Sequence, residues 1–176
     1  REVTFACLTE PALFFGLIML VKLTGSLSLS GLLQGPPDGF SDIASAAMVL
    51  VAIGLFFVLL AETCRIPVDD PNTHLELTMI HEVMVLDHSG PLLGAILYGS
   101  SLKLLVVGSI FIQVACPWRT GNLWGDWALL VGQLLGLAVI IGVVESVMAR
   151  LQLRRVPFLL MAAMLFCGFG CLLLVR

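Results

Sequence analysis

Five apolar stretches, each about as long as a bilayer core is thick, constrain this chain more than any other feature. They cover residues 11–33, 41–61, 91–116, 126–149 and 156–175. A helix rises about 1.5 Å per residue, so about 20 residues cross a hydrocarbon layer about 30 Å thick. Lipid offers no partner to backbone N–H and C=O groups, which selects helices for spans of this length. The expected fold class is an all-α integral membrane protein with about five transmembrane helices and a structured cytoplasmic loop between the second and third. Composition points the same way. The chain is 59% hydrophobic and 12% charged, against about 45–50% and about 25% in soluble domains. That excludes a soluble globular enzyme. Disorder is excluded by the high hydrophobicity. Nucleic-acid binding is excluded by a formal charge of −3 and by the lack of a basic cluster.

The joints between spans carry ordinary punctuation. Gly35-Pro36-Pro37-Asp38-Gly39 breaks the chain after the first span, and Pro117 with Gly121 and Gly125 breaks it after the third. Trp118, Trp124 and Trp127 gather at that second joint, where an interfacial aromatic belt belongs. With five alternating spans, Arg1, Arg65, Arg150, Arg154 and Arg155 fall on one side, and Arg119 and Arg176 on the other. Positive-inside bias then makes the N-terminus, the 62–90 segment and the 150–155 loop cytoplasmic. No signal-peptide pattern opens the chain, and the expectation is that it begins within a longer polypeptide. Gly90/Gly94 and Gly132/Gly136 have the spacing that lets helix backbones approach, within the chain or against another subunit. Cys7, Cys64, Cys116, Cys167 and Cys171 form no C-x-x-C pair, and most lie in or beside apolar stretches. They read as buried, inert thiols rather than metal or cluster ligands.

The segment 62–90 is the unusual one. It holds Glu62, Asp69, Asp70, Glu76, Glu82 and Asp87, and all three histidines, His74, His81 and His88. A connection of this length is uncommon unless it is functional or disordered. Leu75, Leu77, Met79, Ile80, Val83 and Leu86 interleave with the charges, which argues for folding. Pro71 followed by Asn72 and Thr73 predicts a short helix over 73–87. The histidines recur every seven residues, about 10 Å apart along a helix, too far to share one ion. His81-Glu82-Val83-Met84-Val85 is not a zinc-protease motif, because Val85 stands where the second histidine would be. No metal site is expected. The acids support two readings equally: a solvated or partner-docking face, or a chain of titratable groups feeding protons toward the membrane interior.

Here the residues carry a resemblance. Ala61-Glu62-Thr63-Cys64-Arg65-Ile66-Pro67-Val68-Asp69-Asp70-Pro71, then Glu76-Leu77, then Asp87-His88-Ser89-Gly90, resembles the signature loop of the quinone-site membrane subunit of respiratory complex I, the NADH dehydrogenase subunit 1 family. The sequence departs from that pattern. Cys64 stands where the family has asparagine, Asp70 where it has leucine, and Asn72-Thr73-His74 where it has Glu-Ala-Glu. Those departures resemble the corresponding membrane subunit of energy-converting group 4 [NiFe] hydrogenases, as in formate hydrogenlyase and hydrogenase-4 complexes. Val144-Glu145-Ser146-Val147-Met148-Ala149-Arg150 and Arg155-Val156-Pro157 fit the same subunit. Subunits of that family are longer, so the resemblance implies the C-terminal part of one.

The resemblance implies a non-catalytic subunit of an oxidoreductase complex, joining a cytoplasmic electron-transfer arm to proton or sodium translocation. Its partners would be a hydrogenase-like large subunit and iron–sulfur subunits on the cytoplasmic side, and antiporter-like membrane subunits. It would hold no cofactor itself, with the [NiFe] centre and iron–sulfur clusters in those partners, and would sit in the inner (cytoplasmic) membrane. Glu62, Arg65, Asp69, Glu76 and Asp87 take matching positions. Glu62 and Glu76 would carry protons or act as electrostatic switches, Arg65 would hold carboxylates, and Asp87 could continue the chain.

The residues themselves add Lys22 and Lys103. Each sits near the middle of an apolar span, where an isolated lysine costs about 2.5–3.5 kcal/mol. Spans one and three run the same way, so both amines are expected at similar depth, each facing a wet cavity or a carboxylate supplied from elsewhere. Glu10 and Glu145 lie near cytoplasmic span ends, where joining a charge row and anchoring at the interface are equally good readings. Two other functions fit an apolar multi-pass chain: a stand-alone ion transporter and a passive membrane anchor.

Overall fold

The structure, a computed structural model, describes residues 2–28, 42–66, 68, 85, 87–116, 118, 121–148 and 155–175. Among them every long regular element is a helix: α1 (Glu2–Thr24), α2 (Asp42–Glu62), α3 (Pro91–Ala115), α4 (Leu123–Val147) and α5 (Val156–Val175). All five are long and apolar enough to cross a membrane. The protein is an all-α integral membrane protein.

Helices α2 to α5 begin and end within a few residues of the apolar stretches that predicted them. The first does not. α1 starts nine residues before Pro11, takes that proline into its interior, and stops at Thr24 rather than near Leu33. Gly25 adopts a left-handed φ of 68° and its N–H bonds the Val21 carbonyl at 2.8 Å, a left-handed helix cap. Hydropathy passed over this glycine because Leu27, Leu29, Leu32 and Leu33 keep the average high.

α2 is the central rod. It packs on α1, α5 and α3, while α4 leans on α3. The α2–α5 contact is built from small residues at matching intervals, Ala47, Val51 and Gly54 on one helix and Ala163, Cys167 and Gly170 on the other. Ala47, Val51, Ala163 and Cys167 are fully buried. A Cβ on Gly54 would stand 2.5 Å from the Cys167 sulfur and 2.8 Å from the Ala163 carbonyl oxygen. A Cβ on Gly170 would collide with the Val51 side chain. In lipid, where apolar contact alone gives no drive to associate, such close approach is what holds helices together. Gly16 fits under Leu55 in the same way and brings α1 in.

The glycine pairs singled out by spacing behave differently. Gly90, Gly94, Gly132 and Gly136 all face open space, so they mediate no packing within the described residues. Helix α3 buries only Gly108, Ile112 and Val114, and α4 only Leu137 and Ile141. Burial also covers only part of the cysteine set. Cys167 is buried, Cys64 and Cys171 are half-buried, and Cys7 and Cys116 are exposed; all five are free thiols.

Candidate functional site

Glu62 is the last residue of α2, and the turn after it is tightly made. The Thr63 N–H bonds the Leu59 carbonyl at 3.0 Å, Cys64 bonds Ala61 at 3.2 Å, and Arg65 bonds Leu60 at 2.9 Å. This crossed pattern ends a helix with one left-handed residue. That residue is Cys64, at φ 52°. Glycine or asparagine is usual there, since a Cβ in this conformation costs about 1–2 kcal/mol. The turn brings Glu62 and Arg65 to the same end of α2.

The two Glu62 oxygens serve different helices. Oε2 lies 2.5 Å from the Lys103 ammonium of α3. Oε1 accepts a hydrogen bond from the Thr9 hydroxyl of α1. The Glu62 side chain is 15% exposed and that of Lys103 51%. Thr9 is buried. Beside the pair lies a cavity of about 240 Å³ lined by Glu62, Thr63, Cys64, Gly99, Ser100 and Lys103, with Ile96. The cavity is roomy enough for water, with the Glu62 carboxylate and the Lys103 ammonium in a lining that is otherwise largely apolar. The Thr63 and Ser100 hydroxyls donate to their own helices, to Leu59 at 2.7 Å and Leu97 at 2.8 Å.

Arg65 makes the second ion pair, one Nη1 contact of 3.4 Å to Glu145 of α4. It is a single long contact with Arg65 46% and Glu145 28% exposed. Both ion pairs therefore join the charged end of α2 to a helix outside the α1–α2–α5 bundle.

Four of the predicted residues, Glu62, Arg65, Lys103 and Glu145, thus come together at one end of the molecule. The expectation for Lys103 needs one correction: its carboxylate comes from this chain, from Glu62. Lys22 needs a larger one. It sits in the last turn of α1, exposed, thirteen residues beyond Thr9, or about 20 Å along the helix. It does not share the depth of Lys103, because the span that seemed to centre on it ends two residues later. Glu10 is exposed on α1, and Asp87 is exposed ahead of α3. Asp69, Asp70, Glu76 and Glu82, His74 and His81, and most of the expected 73–87 helix lie outside the described residues. No group of three or more histidine, cysteine, aspartate or glutamate side chains converges among the described residues.

Thr9 is the residue of this site that sequence reasoning missed. A threonine beside Glu10 in an apolar helix carries no local signal; only the folded contact with Glu62 marks it. A larger cavity of about 560 Å³ lies between α2, α3 and α4 at the other end, walled by Met48, Phe56, Phe111, Trp118 and Leu137. No acidic or basic residue lines it.

The chain is 28% identical to formate hydrogenlyase subunit 4 of Escherichia coli (strain K12) over 176 residues, covering 97% of this chain and 54% of that protein. It is 27% identical to hydrogenase-4 component C of the same organism over 172 residues, covering 97% of this chain and 53% of that protein. The chain thus spans about half the length of the curated relatives it matches. No solved structure matches it. A family profile described as NADH dehydrogenase matches residues 1–176, and the chain belongs to the NADH dehydrogenase family.

Proposed function

We propose that this protein is a membrane-arm subunit of a multisubunit hydrogenase or complex I-like oxidoreductase, and that it links electron transfer in a cytoplasmic arm to translocation of protons. The observation that carries this reading is the Glu62 carboxylate, held between an ammonium on one helix and a hydroxyl on another beside a small cavity. An ionised Glu62 balances Lys103. A proton taken up by Glu62 cancels that attraction and leaves Lys103 as an uncompensated charge, which favours its movement toward water. One proton thereby changes the force between α2 and α3. In this reading the segment 62–90 faces the cytoplasm, where Asp69, Asp70, Glu76, Glu82 and Asp87 bring protons toward Glu62. The redox centres belong to hydrogenase-like and iron–sulfur partners, and this subunit holds none.

The test uses the intact complex in sealed membrane vesicles, following electron transfer and proton movement together. E62Q is expected to keep electron transfer while the proton signal per electron falls about tenfold. An unchanged proton-to-electron ratio in E62Q would sink the proposal. Affinity isolation of the tagged chain checks the partners: hydrogenase-like, iron–sulfur and antiporter-like subunits are expected to travel with it. A lone active carrier would favour a transporter instead.

A further inference from the structure

We infer that Thr9 is a positioning residue that serves both protonation states of Glu62, an inference that rests on the proton-exchange role proposed above. Thr9 has two acceptors within reach. Its hydroxyl points to Glu62 Oε1, and the carbonyl oxygen of Ala6, one turn back on α1, lies 3.1 Å from the same Oγ1. A hydroxyl carries one proton and two lone pairs, so it can donate to only one of these at a time while still accepting. Thr9 is 2% exposed, so water does not compete for it from the surface.

The two arrangements match the two states of the acid. When Glu62 is ionised it is the stronger acceptor, and Thr9 donates to it in a charge-assisted bond. When Glu62 holds a proton, its O–H donates to Thr9 Oγ1 and the Thr9 proton turns to the Ala6 carbonyl. That second bond is the ordinary one for a threonine inside a helix. No covalent bond changes within Thr9; one rotation about its C–O bond exchanges donor for acceptor. Lys103 behaves differently: an ammonium only donates, so it can still bond the carbonyl oxygen of the neutral acid but loses the charge attraction it has to the carboxylate. The acid therefore has a partner on α1 that reverses its hydrogen bond and a partner on α3 that cannot. Protonation weakens the hold on α3 while α1 keeps its grip.

Among the described residues, the other charged or titratable groups near Glu62 are placed as follows. Cys64 lines the cavity on the Lys103 side. Arg65 is engaged with Glu145 on α4. Glu10, next to Thr9 in sequence, is exposed on α1, and Asp87 and His88 are exposed ahead of α3.

Infrared difference spectroscopy on the intact complex in lipid tests the inference, with the C=O stretch of protonated Glu62 assigned by its loss in E62Q. In T9V that band is expected at higher wavenumber, because the hydroxyl that accepts its proton is gone; in T9S it stays in place. Proton-coupled turnover is expected to fall about tenfold in T9V, the factor for losing one hydrogen bond to a charged group, and to recover within about twofold in T9S. Should T9V fail to assemble, the T9S and T9A pair reads the same difference. A T9V band at the wild-type position with wild-type turnover overturns the role of Thr9 alone. Absence of any E62Q-sensitive band, with normal coupling in E62Q, overturns both this inference and the function beneath it.

Discussion

The α1–α2–α5 bundle and the α3–α4 pair are built on different principles although both are equally apolar. In the bundle, glycine, alanine and cysteine interlock so closely that a single Cβ on Gly54 or Gly170 would overlap a neighbour. In the pair, glycines at the same kind of spacing face nothing, and the helices are mostly exposed. Small residues in a membrane helix permit close packing without ensuring it; a partner helix of matching shape must be there to use them. The ionic contacts divide along the same line. Lys103 of α3 and Glu145 of α4 both reach back to the end of α2, so charge adds to the apolar packing of Leu59, Leu60, Ile112, Leu137 and Ile141 that joins the pair to the bundle, while the bundle is held to itself by shape.

Substitutions can break this contrast at graded strength. The largest effect is expected from G54L, which forces a branched side chain against the Cys167 sulfur and the Ala163 carbonyl. A loss of about 3 kcal/mol follows from overpacking of this kind, read as loss of folded protein in thermal unfolding in detergent. G136L on α4 serves as the control and is expected to change the midpoint little. Equal damage from both would erase the distinction between the two regions.

Next in size is K103M. It removes the counter-ion of a carboxylate that is 15% exposed, and coupled turnover is expected to fall about tenfold, as for loss of a charged hydrogen bond. Adding E62Q to K103M should restore part of the lost thermal stability, because it removes the stranded charge. A double variant less stable than K103M would contradict the pairing. Smaller again is the gain from C64G, which relieves the left-handed strain. About 1 kcal/mol of stabilisation is expected, seen as a higher unfolding temperature, with C64N giving part of it. The smallest effect belongs to R65Q, which loses an exposed, singly bonded pair worth less than about 1 kcal/mol. Its cost should shrink further in high salt; a cost that persists in salt would mean Arg65 holds something more than Glu145.

Much of this architecture was legible in the sequence, and the parts that were not share a cause. Apolar length alone marks five spans, and Glu62 and Arg65 stand out through the resemblance carried by the 61–71 motif rather than through any predicted turn. Glu62 and Lys103 were both singled out, yet their contact was not foreseen, because a lysine deep in one span meets a glutamate at the very end of another. That meeting depends on how far the two helices slide along each other, which hydropathy does not encode. Thr9 was invisible for the same reason. Lys22 was misplaced by a local error: a glycine cap at Gly25 was outweighed by the leucines that follow. The glycines with the expected four-residue spacing were idle, while Gly54 and Gly170 became important through matching small residues on a partner helix. The acids between Asp69 and Glu82 lie outside the described residues.

The sliding of α3 against α4 has a consequence for the surrounding lipid. Gln133 of α4 donates to the Cys116 carbonyl at 3.2 Å, and Leu137 lies against Gly108. In that antiparallel register the first nine or so residues of each helix extend past the end of the other, roughly 13 Å at each extremity at about 1.5 Å per residue. The pair is then about 50 Å from tip to tip, against a hydrocarbon layer about 30 Å thick. An apolar pair longer than the hydrocarbon layer is accommodated by tilting of the helices or by local thickening of the bilayer around them, at a modest cost for each ångström of mismatch.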